Sequence, residues 1–183
     1  MKASAQDQSR LIELQRLDSH LQNLQLKLKT LPEIEQLNAI ATRIAAGQES
    51  LKSAELELGD VQVELKRSEI EVEQVSERIK KDENRLNSGQ GSPKELEQMQ
   101  HELGTLSKRK TELEDGELEI MIRLDNAKAK VETLKSDEAG LKQLEVELNT
   151  RYSESAKEIE AEISATQVRR GEQLPQIDKG LLE

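Results

Sequence analysis

Two histidines, His20 and His101, are the residues best suited to move a proton or hold a metal near neutral pH. They stand alone among polar neighbours, which fits exposed helix positions and not a ligand cluster. The many Asp and Glu side chains fall on solvated faces and in helix first turns, where no dry cleft would tune them as acids or bases. Gly89-Gln90-Gly91 is not a phosphate cradle, because it follows a helix and lacks the Lys-Ser/Thr sequel. Lys108-Arg109-Lys110 and Arg169-Arg170 are short basic runs that read as solvated flanks. No residue is assigned a catalytic, cofactor-binding or metal-binding role, and the chain is expected not to be an enzyme.

Recognition chemistry is concentrated at two places. One is the turn from Asn87 to Glu95, with Leu96 and Met99 just behind it. Its candidate partner-binding residues are Asn87, Gln90, Ser92, Pro93, Lys94, Glu95, Leu96 and Met99. Gly89 suits the left-handed position past a helix end. Ser92, Pro93 and Glu95 form the N-cap, first position and closing acid of a new helix. The second place is Leu174, Pro175, Ile177, Leu181 and Leu182, apolar residues expected to have little to bury against.

The elements that position the turn follow from a repeat. An apolar residue recurs every seventh position at Leu37, Ile44, Leu51, Leu58, Leu65, Val72, Ile79 and Leu86. A stripe this narrow needs a partner helix alongside it. Composition agrees: in 183 residues there is no Cys, Trp or Phe and one Tyr, while 35% of residues are charged. That suits a thin coil in which most positions face water. The net charge of −10 disfavours nucleic acid and anionic membranes as partners of this rod. No apolar run reaches spanning length and Met1-Lys2 opens no signal core, so the expected location is the cytoplasm.

Three helical stretches emerge. The first starts near Ser4 with the seam Leu14, Leu17, Leu21, Leu24, Leu28, Leu31, and Pro32 interrupts it. Thr30 and Glu33 are expected to cap the restart. The second runs to Asn87, with a weaker companion row through Ile40, Ala54, Val61 and Val75. The third runs from Pro93 to about Arg170, with rows through Met99, Leu106, Leu113, Ile120, Ala127, Leu134, Leu141 and Leu148, and through Leu96, Leu103, Leu124, Val131, Tyr152 and Ile159. Folded at Gln90, the arms match in one register: Leu86 with Leu96, Ile79 with Leu103, Val61 with Ile120, Ala54 with Ala127. The expected fold is all-α, a long antiparallel coiled-coil helical hairpin kinked near Pro32, with a short C-terminal helical stub. Its arms are 5–87 and 93–171 and its tip is 88–92, giving a hairpin over 1–171. Residues 172–183 begin a segment toward a further domain. Gly47, Gly59, Gly104, Gly116 and Gly140 are expected to make the rod bend or fray.

The tip sequence from Leu86 to Leu103, with its turn, Lys94-Glu95-Leu96 and Gln98-Met99-Gln100 leading to Glu102-Leu103, resembles a bacterial family that joins an N-terminal coiled-coil hairpin to a four-cysteine zinc ribbon. Leu14-Gln15-Arg16-Leu17-Asp18 and Leu31-Pro32 are similar to that family's opening. Its members are linked to an alternative sigma factor, to flagellar or secretion components and to RNA. The resemblance implies an adaptor or chaperone with a protein partner, with zinc expected only in a ribbon this chain lacks, and any nucleic acid contact made through that ribbon. A monomer or weak homodimer is expected. The rival reading is a purely structural spacer or oligomerisation rod.

Overall fold

The computed structural model describes residues 4–177. Three α-helices follow one another: α1 (Ala5–Lys29), α2 (Pro32–Asn87) and α3 (Pro93–Gln173), then one 3-10 turn at Leu174–Gln176. There is no strand among the described residues.

Helix α1 starts where a cap allows it. The Ser4 side chain accepts from the Asp7 backbone N–H at 3.1 Å, which satisfies one of the free donors of the first turn. Near Pro32, where a kink or short break is expected, the chain makes a short break, since Thr30 and Leu31 lie outside both helices. Thr30 does not cap the restart as expected. It terminates α1, with its N–H on the Leu26 and Lys27 carbonyls and its hydroxyl donating to Leu26 at 2.9 Å. The Glu33 Oε2 atom is buried without a hydrogen-bond partner, so no capping box forms. The physical reason lies in phase. Leu28, Leu31, Ile34, Leu37 and Ile40 all turn inward at successive steps of three, tighter than a coiled coil's 3.5. Two non-helical residues absorb that mismatch.

The chain divides into two compact units. One holds Ala46–Glu138, the tip with the helical stretches on either side of it. The other holds Met1–Ala45 with Ala139–Glu183. In the tip unit Ala54, Val61, Leu124, Ala127 and Val131 are buried. In the other, Leu14, Leu24, Ile40, Leu148, Ala156, Thr166 and Ile177 are buried. All eight residues of the heptad row from Leu37 to Leu86 are half-buried, as a two-helix seam requires.

Register is more offset than the sequence pairing implies. Arg78 Nη2 meets Glu102 at 2.5 Å, close to the expected level. Glu64 meets Arg123 at 2.6 Å and Glu57 meets Lys130 at 2.8 Å. In both pairs the α3 partner lies about one and a half turns further from the tip than expected. That offset fits layers in which Val61 is level with Leu124 and Ala54 with Val131, four residues that are all buried. Antiparallel layers join the two different heptad positions, and the sequence pairing had joined like with like.

Helices α2 and α3 run unbroken through Gly47, Gly59, Gly104, Gly116 and Gly140, so no glycine ends them. The glycines' cost in propensity is outweighed by seam packing on either side. Two expectations at the C-terminal end change. Helix α3 also passes Gly171 and stops at Gln173, because Pro175 lacks the donor a continuing helix needs. The apolar base is not left open: Ile177 is 4% exposed and Leu174 half-buried, while Arg10 donates to the Gln176 carbonyl at 2.5 Å. Leu181 and Leu182 lie outside the described residues.

Candidate recognition tip

The turn between α2 and α3 is built by local hydrogen bonds. The Ser88 N–H donates to Asn84 O and the Gly89 N–H to Leu86 O, both at 3.1 Å, closing the end of α2. The Ser88 hydroxyl donates to Arg85 O at 2.7 Å. Gly89 then takes φ 63° and Gly91 φ 151°, conformations that side-chain-bearing residues adopt only with strain. At Ser92 the direction is fixed by a reciprocal cap. The Glu95 carboxylate accepts the Ser92 backbone N–H at 2.7 Å and its hydroxyl at 2.8 Å. Glu95 N–H reaches back to Ser92 Oγ at 3.4 Å. These bonds hold the Glu95 carboxyl below its ordinary value, the Ser92 backbone donor contributing most.

The eight expected tip residues therefore divide by what they do. Asn87, Gln90, Ser92, Pro93, Lys94 and Glu95 are exposed. Ser92 and Glu95 are committed to the cap. Leu96 and Met99 are half-buried on the seam and shape the tip from beneath. Asn87, Gln90 and Lys94 remain as outward-facing hydrogen-bonding groups, one of them cationic. The arrangement can bind by contact; it holds no nucleophile paired with a base.

The histidines behave differently from each other. His20 is not isolated: its Nε2 lies 2.9 Å from Glu162 Oε1 across the seam. His101 is exposed in α3. No cluster of three or more His, Cys, Asp or Glu able to hold a metal occurs among the described residues. The basic runs are partly neutralised along their own helix or across the seam. Arg109 pairs with Glu112 at 3.6 Å, Lys110 with Glu114 at 3.4 Å, and Arg170 with Asp18.

Sequence reasoning missed the ionic edge of the tip unit. Glu57 and Glu64 stand one heptad apart on α2, and Arg123 and Lys130 one heptad apart on α3. The Lys130 hydrogen bond holds the Glu57 carboxyl low, and the Arg123 hydrogen bond does the same for Glu64. The signal was present, since the pairs flank the seam at matching positions. Beside them is a groove of about 550 Å3, lined by residues including Ser53, Leu56, Asp60 and Asn126. It is a dent between two helices with no convergent set of reactive groups.

Comparison with known proteins bears on the same features. The family model for the CT398-like coiled coil hairpin domain matches residues 14–183. The Rv2229c protein of Mycobacterium tuberculosis is 26% identical over 179 residues, covering 98% of this chain and 66% of its own length. The chain thus spans slightly less than two thirds of that relative. A solved structure from Mycobacterium smegmatis superposes with a TM-score of 0.82 at 24% identity, covering 100% of this chain and 76% of its own. CT398 from Chlamydia trachomatis superposes at 0.67 with 17% identity, covering 97% and 74%. At these identities the two structures establish the fold alone. No described helix is long and apolar enough to cross a membrane.

Proposed function

Because the chain belongs to the CT398-like coiled coil hairpin domain family, we propose that it is a non-enzymatic adaptor whose tip captures a protein partner. The observation that carries this reading is the hydrogen-bonded turn. Gly89, Ser92 and Glu95 fix its backbone, and Asn87, Gln90 and Lys94 face outward. The seam residues behind it are occupied with each other, so they have little left to offer a partner. A preordered turn loses little entropy on binding, which favours recognition by a few polar contacts.

We place the adaptor in the cytoplasm, where a zinc ribbon of the kind the tip's resemblance implies would engage a second macromolecule. The net charge of −10 disfavours nucleic acid as a partner of the hairpin itself. The direct test replaces residues 88–92 with a five-residue turn of different sequence that keeps both helices in phase. Affinity capture from cell extract, quantified by mass spectrometry, should lose proteins bound by the native chain. Recovery of the same proteins in the same amounts would contradict tip recognition.

A further inference from the structure

The tip unit exposes a second heptad row. Leu56, Val63 and Ile70 lie seven residues apart on the face of α2 opposite the seam, and they are 65%, 52% and 44% exposed. Isolated exposed apolar residues are ordinary, but three at the supercoil period form a continuous line on one helix edge. Their spacing is symmetric about Val63. A second copy of α2 laid antiparallel on this row sets Val63 against its own counterpart, and Leu56 against Ile70 on each side.

The residues flanking the row make the same choice. On one side stand Lys52, Gly59, Lys66 and Glu73; on the other stand Ser53, Asp60, Arg67 and Gln74. Turned about Val63, Asp60 comes level with Arg67 of the second copy, and Lys52 with its Glu73. Each match occurs twice, and no like-charged pair falls at these four places. A parallel copy would bring the two unlike flanks together and set Lys66 beside Arg67. Lys52, Asp60, Arg67 and Glu73 take part in no ion pair within the described residues, so their charges are available. Gly59 has nothing within 4 Å of where a Cβ would stand, which leaves room for a helix to approach beside the row.

We propose that this face is a two-fold homodimer surface, in which α2 pairs antiparallel with α2 of a second copy about Val63. The row is self-complementary in both shape and charge, as an isologous interface must be. It is narrow, so the association is weak, with a dissociation constant of about 1 mM or below. The surface is separate from the tip, and its success or failure leaves the tip reading untouched.

The chain has no cysteine, so Val63→Cys introduces a single thiol. Sedimentation equilibrium up to about 1 mM protein should show a monomer–dimer equilibrium, and V63C should form a disulfide dimer on mild oxidation while Glu112→Cys does not. Val63→Asp and Asp60→Arg should each weaken the dimer about tenfold or more, with unchanged far-ultraviolet circular dichroism. Adding Arg67→Asp to D60R should restore it, because the exchanged charges again match. A monomer at every concentration would overturn the proposal. So would a dimer indifferent to V63D, or a D60R/R67D protein no tighter than D60R alone.

Discussion

Leu24 and Thr166 are the most enclosed side chains of their unit, at 1% and 2% exposure, and they are enclosed for different reasons. Leu24 is a seam leucine, and truncating it leaves a void that two thin helices fill only in part. Leu24→Ala should cost about 3 kcal/mol, measurable by urea unfolding. Thr166 is polar, yet its hydroxyl donates to Glu162 O at 2.8 Å, so nothing is left unsatisfied. The row through Tyr152 and Ile159 was ended one heptad short of it, although Tyr152, Ala156, Ile159, Ile163, Thr166 and Arg170 continue the alternation of four and three without a gap. Acid sensitivity also belongs to this scale. Glu57, Glu64 and Glu95 are held below their ordinary value of 4.5 by Lys130, Arg123 and Ser92 respectively. Carboxyls lowered in the folded state contribute stability above that value and lose it as pH falls through their folded values. A protein with all three changed to Gln should therefore lose less stability between neutral pH and pH values below 4.5 than the native chain; parallel curves would contradict this.

Helix length and helix breaks obey different rules, and the sequence displayed one better than the other. The limits of α2 and the start of α3 were readable because Pro32, Gly89 and the Ser92–Glu95 cap act within a few residues. The break before Pro32 depended on Ile34, which extends a run of three-residue steps and so fixes where phase must be lost. The glycines within α2 and α3 end neither helix, because propensity is local and seam packing over many turns offsets it. At Gly47 and Gly140 an added Cβ meets nothing within 4 Å. Gly47→Ala and Gly140→Ala should each stabilise the fold by about 1 kcal/mol, raising the thermal midpoint. Ser92→Ala should lower stability by about 1 kcal/mol through loss of the cap.

At the scale of the whole molecule, the seam is consumed by its own chain and the net charge is acidic, and the proposed adaptor role is therefore placed on exposed surfaces. The all-α hairpin class was legible in the sequence because the heptad is written without interruption from Leu37 to Leu86. The offset between the helices of that hairpin was not, because several registers bring leucines together and the ionic edge of Glu57, Glu64, Arg123 and Lys130 selects among them. The proposed location of the recognition site rests on which side chains remain uncommitted at the turn. The most direct measurement is photo-crosslinking in living cells, with a photoreactive side chain placed at Gln90 or, separately, at exposed positions Glu112 and Glu154 along α3. The tip account predicts defined adducts with partner proteins from position 90 and none from 112 or 154. Equal adducts from all three positions, or none from the tip, would contradict it.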